Sequence, residues 1–119
     1  MEDGLFFDVN LKNIKNKNFY FFGNGDIATK TLRDIKKFIN IKGTFDNKKS
    51  LQVITNKDNL KILNPNLIKK IDKNKIHIII TTSSYSQVIK QLNSYKLKPK
   101  KHYSISHRLK DQHTLDSIQ

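Results

Sequence analysis

The chain of 119 residues has no cysteine and no tryptophan, and carries only four glycines, two prolines and ten acidic side chains. The lack of cysteine excludes disulfides, thiolate zinc sites and a cysteine nucleophile, and is compatible with a reducing cytoplasm. No apolar run approaches the roughly 20 residues that a membrane-spanning helix needs, so no membrane span is expected. Glu2 and Asp3 at the front argue against a signal peptide. The length provides for one small domain with a single core, too short for a nucleotide-binding domain plus a separate catalytic one. The four histidines, His77, His102, His107 and His113, show no metal-ligand spacing with carboxylates, and no metal is expected.

Arginine is scarce too, although the net charge is +13. Basic clusters gain affinity for nucleic acid by releasing counterions from phosphates. Here lysine outnumbers arginine roughly tenfold, alongside abundant asparagine and isoleucine, a mixture that an A+T-rich coding sequence also produces. Arginine is the preferred reader of guanine edges. The lysines read as scattered along the chain, at Lys12, Lys36, Lys48, Lys69, Lys90 and Lys100, without interleaved stacking aromatics. A solvated basic exterior is the expectation, with a nucleic-acid-binding protein kept as a minor alternative.

Because glycine is rare, its clustering is informative. Phe19-Tyr20-Phe21-Phe22 runs into Gly23-Asn24-Gly25-Asp26-Ile27-Ala28, an apolar strand meeting a two-glycine turn and then a helical pattern. In the G-x-G-x-x-G/A fingerprint the first glycine permits the turn and the second lets backbone N–H groups approach a pyrophosphate. The third position needs a small residue where helix packs on strand. Gly23, Gly25 and Ala28 fill these roles. Ile27, Ala28, Leu32, Ile35, Phe38 and Ile39 recur at helical spacing, with Lys30, Arg33, Lys36 and Lys37 on the outer face. Ile41 to Asp46 reads as a second strand, Gly43 allowing close helix approach, and ends in an acid about 20 residues beyond the turn, where the fingerprint expects one.

Further along, Leu51-Gln52-Val53-Ile54 reads as a short third strand, and Asn64-Pro65 starts a helix with an N-cap and a proline at its first position. Ile76-His77-Ile78-Ile79-Ile80 has the near-continuous apolar character of a parallel strand covered on both faces, with His77 expected as a buried, hydrogen-bonded side chain. Thr81-Thr82-Ser83-Ser84 precedes a helix marked by Tyr85, Val88, Ile89 and Leu92, and Tyr103 to Ile105 reads as the last strand. These elements predict an α/β fold: a single Rossmann-like domain with an about five-stranded, mainly parallel sheet and helices on both faces. Residues 1–17 form an arm or short helix with an apolar patch at Leu5, Phe6, Phe7 and Val9, residues 18–105 the domain, and residues 106–119 a polar tail without a core pattern.

In this order the segments Phe21 to Ile27, Gly43 to Asn47, Ile62 to Pro65 and Ile79 to Tyr85 resemble the Rossmann-like domains of bacterial polysaccharide and sugar-nucleotide enzymes. The resemblance spans about Asn18 to Ile105 and implies binding of a nucleotide-sugar or NAD(H) in surface-polysaccharide biosynthesis in the cytoplasm. The contacting residues it implies are Gly23, Asn24, Gly25, Asp26 and Asp46, and Ile27 joins them through its backbone N–H at the helix start. Ala28 in place of the commoner third glycine and the insert from Lys48 to Lys61 depart from the pattern. Thr81, Thr82 and Ser83 join the expected site because ligand crevices of such sheets lie at the strands' carboxyl ends. No Tyr-x-x-x-Lys pair and no G-x-x-x-x-G-K-[ST] loop is present, so no catalytic residue is assigned. The expected partners are a nucleotide ligand and a second copy or a separate catalytic domain. The alternative is a degenerate module for protein association.

Overall fold

The strand Ile76–Ile80 is buried at every residue, the condition that its near-continuous apolar sequence demands. Around it the computed structural model, which describes residues 5–8, 16–48 and 54–110, builds a six-stranded sheet. The elements are β1 (Asn18–Phe22), α1 (Asp26–Ile35), β2 (Ile41–Phe45), β3 (Ile54–Thr55), β4 (Lys61–Leu63), β5 (Ile76–Ile80), α2 (Tyr85–Ser94) and β6 (Tyr103–Ile105). Lateral order is β3-β4-β2-β1-β5-β6. Five strands are parallel, and β3 pairs antiparallel with β4 at the edge. The chain builds outward from β1 to β2 and β4, then returns to lay β5 and β6 on the other side. Strand order therefore reverses between β1 and β5.

Alternation along the strands divides the core into two layers. Ile76, Ile78 and Ile80 join Phe22, Phe45, Val88, Leu92 and Tyr103 under α2. Ile79 joins Phe19, Phe21, Ala28, Ile35 and Ile41 under α1. This is the period-two signature of a sheet with a helix on each face. α1 forms because Ala28, Thr31 and Ile35 present one buried stripe, and Asp26 in its first turn and Arg33 in its last suit the helix dipole.

Several expectations change. The third parallel strand is β4. Of the segment predicted for that place, Ile54 begins the antiparallel β3, and Leu51, Gln52 and Val53 lie outside the described residues. The apolar periodicity through Phe38 overruns the helix: Phe38 and Ile39 both donate to Ile35 O as the chain tightens into a turn toward β2, leaving Phe38 71 % exposed. Gly43 makes room for a strand and not for a helix, since a Cβ there would lie 3.0 Å from Lys61 O and from Leu63 Cδ1 of β4. Asn64 does cap the next turn, accepting from Asn66 N at 2.8 Å, but the segment Pro65–Lys70 is a 3₁₀ helix.

The described parts of both flanks, residues 5–8 and 106–110, pack onto the predicted domain. Phe7 N donates to Ile105 O and Ile105 N to Leu5 O, each at 2.7 Å, so the N-terminal segment covers the outer edge of β6. Val9 lies outside the described residues. Beyond β6, Ser106 is buried with its hydroxyl 2.6 Å from that of Thr31, and Leu109 is fully buried. Arg108 grips Asp34 through Nε (2.6 Å) and Nη2 (2.8 Å), and His107 Nε2 lies 2.7 Å from the same carboxylate. These hydrogen bonds, Arg108 foremost, bring the Asp34 pKa down to about 2.

His77 occupies the position expected of it. Its Nε2 lies 2.9 Å from Ser104 Oγ, and Phe7 and Phe19 flank the ring at centroid distances of 6.2 and 5.7 Å. Burial lowers its pKa to about 4. An unfolded chain protonates this residue as pH falls below about 6.5, whereas the native state resists until about 4, so stability drops across that window. Thermal melts should show a loss of about 2 kcal/mol between pH 6.5 and 4.5 from this group, and the imidazole NMR signals of His77 should remain those of the neutral form at pH 5. Below pH 4 the Asp34 contribution is lost in turn as its carboxylate protonates toward pH 2, and Asp34→Asn, removing about 1 kcal/mol at neutral pH, should flatten that acid limb.

Candidate functional site

The carboxyl ends of β1, β2 and β5 and the starts of α1 and α2 surround a cleft of about 500 Å³, within the range of small-ligand pockets. Its floor is aromatic and aliphatic, from Phe22, Phe45 and Val88. Its walls are Gly23 to Gly25 on one side, Asp46 to Lys48 on another, and Thr82, Ser84 and Gln87 on the third. The position is the crevice where strand order reverses, the place where open α/β sheets hold ligands.

The two glycines have separate tasks. Gly23 sits at φ +127°, and a Cβ on it would lie 2.9 Å from both Thr81 C and Thr81 Oγ1. Its N–H donates to Phe45 O at 3.0 Å, and its carbonyl accepts from Thr44 Oγ1 at 2.6 Å and Thr81 Oγ1 at 2.9 Å. The turn is thereby tied to β2 and β5 at once. Gly25, the residue before α1, has ordinary extended backbone, and a Cβ on it would meet nothing within 4 Å. It borders the open cleft. Ala28, the third small position, is buried in the α1 layer.

Neither α1 nor α2 receives a side-chain cap at its N-terminus. The first N–H groups of a helix lack intrahelical partners and concentrate partial positive charge, which Asp26 in the first turn offsets at α1 and no acidic side chain offsets at α2. Opposite them Asp46 continues β2, its backbone N–H donating to Leu63 O at 3.1 Å and its Oδ1 accepting from Lys48 N at 2.9 Å. A carboxylate here is an acceptor for hydroxyl groups. The cleft thus joins an anion-favouring wall, a hydroxyl-accepting carboxylate and an apolar floor. Among the described residues no histidine lines the cleft.

Of the expected site residues, Gly23, Asn24, Gly25, Asp46 and Thr82 line the cleft together. Thr81 lies below it, 1 % exposed, with its hydroxyl committed to the backbone of Phe22 and Gly23. Asp26 points outward, its side chain 88 % exposed and 3.5 Å from Lys57 Nζ. Ile27 packs against the core, and Ser83 is exposed outside the lining. Thr82 accepts from Ser84 N at 3.3 Å.

Sequence reasoning missed two framing devices. Residues 56–60 link β3 to β4 and dock on the glycine turn: Asn56 Nδ2 donates to Asn24 Oδ1 at 2.7 Å, and Thr29 Oγ1 donates to Asp58 Oδ2 at 2.8 Å. The Asn-Lys-Asp-Asn run at 56–59 was the available signal, because asparagine and aspartate bond their own backbone in tight turns and tolerate left-handed φ. Asn56 Oδ1 accepts from Asp58 N and Leu60 N, and Asn59 has φ +65°. Across the α2 side, Asn47 and Gln91 exchange two amide hydrogen bonds of 2.9 Å each, and Gln91 also donates to Tyr95 OH. Such a long-range amide pair leaves no local pattern.

Among the described residues no group of three or more histidine or acidic side chains is placed to hold a metal ion, and no helix is long and apolar enough to cross a membrane. The chain matches no family model, no curated protein and no solved structure.

The contrast between the glycines is testable in the protein without ligand. Gly23→Ala must place a side chain at positive φ against Thr81, and should lower stability by about 2–4 kcal/mol. Gly25→Ala should stay within about 1 kcal/mol of the parent. Urea denaturation of both variants measures the difference.

Proposed function

We propose that the chain is a Rossmann-like nucleotide-binding domain that holds a nucleotide-sugar or NAD(H) and serves bacterial surface-polysaccharide biosynthesis. The observation that carries the reading is the conjunction at one crevice of the open Gly25 turn, two uncapped helix starts and Asp46 at the end of the neighbouring strand. A diphosphate suits the helix starts and a ribose suits the carboxylate. The pathway rests on the sequence resemblance. Binding without chemistry is the role that the lining supports, since the described residues offer no base beside an activated nucleophile there. In this reading the reacting groups come from a second domain or subunit closing over the crevice.

Calorimetry with UDP-sugars and NAD(H) tests the assignment. The parent chain should bind at least one of them, and Gly25→Val, folded by circular dichroism, should bind at least about tenfold more weakly because its side chain occupies the space of the phosphates. Equal affinity in the folded variant removes the site.

Asp46 yields an independent test. Its carboxylate repels a 2′-phosphate, so NAD should bind better than NADP, and Asp46→Asn should narrow that preference while weakening NAD by about tenfold. The purified chain should leave UDP-sugars chemically unchanged with or without NAD. Steady turnover abolished by Tyr85→Phe would instead identify a complete small enzyme.

A further inference from the structure

Ten of the described lysines, Lys36 and Lys100 among them, are gathered by the topology. Five strands are parallel, so their first residues share one end of the sheet, opposite the cleft. Each of the five has a lysine at or within two residues of its start: Lys61 at β4, Lys42 in β2, Lys17 before β1, Lys75 before β5 and Lys101 before β6. At the usual strand spacing of about 4.8 Å the row extends about 19 Å. The turns at the same end add Lys36 and Lys37 after α1 and Lys96, Lys98 and Lys100 before β6. Lys96 and Lys100 both adopt φ +70°, a left-handed conformation that glycine or asparagine takes more easily.

Convergence of these loops is visible at His102. It is 5 % exposed, and burial lowers its pKa, helped by Lys101, Lys17, Lys73 and Lys98, which come from three separate segments. Against these ten lysines the acids described at this end are Asp8, Asp34 and Asp72. Asp26, Asp46 and Asp58 belong to the cleft end, and Asp72 caps its own turn by accepting from Asn74 N at 3.0 Å.

The same end exposes an aromatic ring. Phe38, in the turn between α1 and β2, is 71 % exposed and follows Lys36 and Lys37 directly. A shallow hollow beside it is lined by Phe7, Asp8, Asp34, Ile35 and His107, and Asp34 is neutralised by its two-point contact with Arg108.

We propose that this end of the sheet docks on an anionic lipid bilayer, with the lysine row against the headgroups and Phe38 inserted at the acyl boundary. Lysines act as flexible point charges that a negative surface potential attracts without directional recognition. An exposed phenylalanine among them gains from leaving water at that depth. One ring gives no stacking platform for successive bases, and of the two arginines that would grip phosphates with planar forks, Arg108 is spent on Asp34. Docking by this end leaves the cleft facing away from the membrane and open to its ligand.

The chain has no tryptophan, so Phe38→Trp introduces a single reporter at an exposed position. With vesicles of phosphatidylcholine containing about 30 % phosphatidylserine at roughly 150 mM salt, the full chain should co-sediment, the introduced indole should shift to the blue, and brominated lipid should quench it. Pure phosphatidylcholine should bind at least about tenfold more weakly. Lys98→Glu with Lys101→Glu should lower vesicle binding by a similar factor while melting like the parent. No binding to anionic vesicles, or binding without a blue shift, overturns the proposal. So does a single-stranded oligothymidylate that binds more tightly than the vesicles and displaces them, which would assign the row to nucleic acid.

Discussion

The contact of Gly23 with Thr81 is the constraint on which the upper half of the molecule depends. At φ +127° and with no room for a Cβ, the turn brings its carbonyl under the hydroxyls of Thr44 in β2 and Thr81 just after β5. The strands on either side of β1 are thereby bound to the same peptide group, in addition to the sheet's own ladder. Buried hydroxyls must find acceptors, and here both use the carbonyl that a strand-to-helix turn would otherwise leave unpaired. One consequence is local rigidity where the crevice opens. Another is that Thr81, by satisfying the floor, is no longer available to the space above it.

Above that floor the cleft is framed by polar side chains reaching across sequence. Asn56 and Asp58 hold one flank of the glycine turn, and Asn47 with Gln91 ties the end of β2 to the middle of α2. Exposed amide pairs contribute little to stability, about 1 kcal/mol or less each, but they set the width of the opening. Both long helices start at the cleft without a side-chain cap, whereas the 3₁₀ turns elsewhere are capped by Asn64, Asp72 and Ser106. The proposed ligand, with its diphosphate and ribose hydroxyls, draws on this conjunction of helix starts, a carboxylate and a partly apolar floor.

Charge follows the same axis. The carboxyl ends of the strands carry Asp46 and the acids near the turn, and the amino ends carry one lysine for each parallel strand. A parallel sheet makes such a division simple, because every strand start faces one way and every strand end the other. Periodicity along the chain cannot display it, since the lysines recur at intervals set by the βαβ unit length. Composition suggested a diffuse basic coat, and topology gathers ten of the described lysines at one end of the sheet.

The sequence by itself determined β1, the glycine turn, α1, β2 with Asp46, the buried β5, α2 and β6, because each is written in local terms: alternation or runs of apolar residues, small residues at a turn, an acid at a strand end. His77 was legible as a core histidine for the same reason. Tertiary structure decided what depends on distant partners. It chose Lys61–Leu63 over the segment ending at Ile54 as the third parallel strand, because β2 offered an edge that only Gly43 lets a neighbour approach closely. It left Phe38 in water by turning the chain early toward β2, although its spacing matched the helix. It recruited both flanks, since β6 had an open edge to cover and Asp34 a guanidinium to bind, and a short polar stretch carries no periodicity by which to announce that it will bury Ser106 and Leu109. Local pattern specifies an element when its neighbours in sequence are also its neighbours in space. Where the partners are brought together only by the sheet, the physics that selects them acts after the sheet exists.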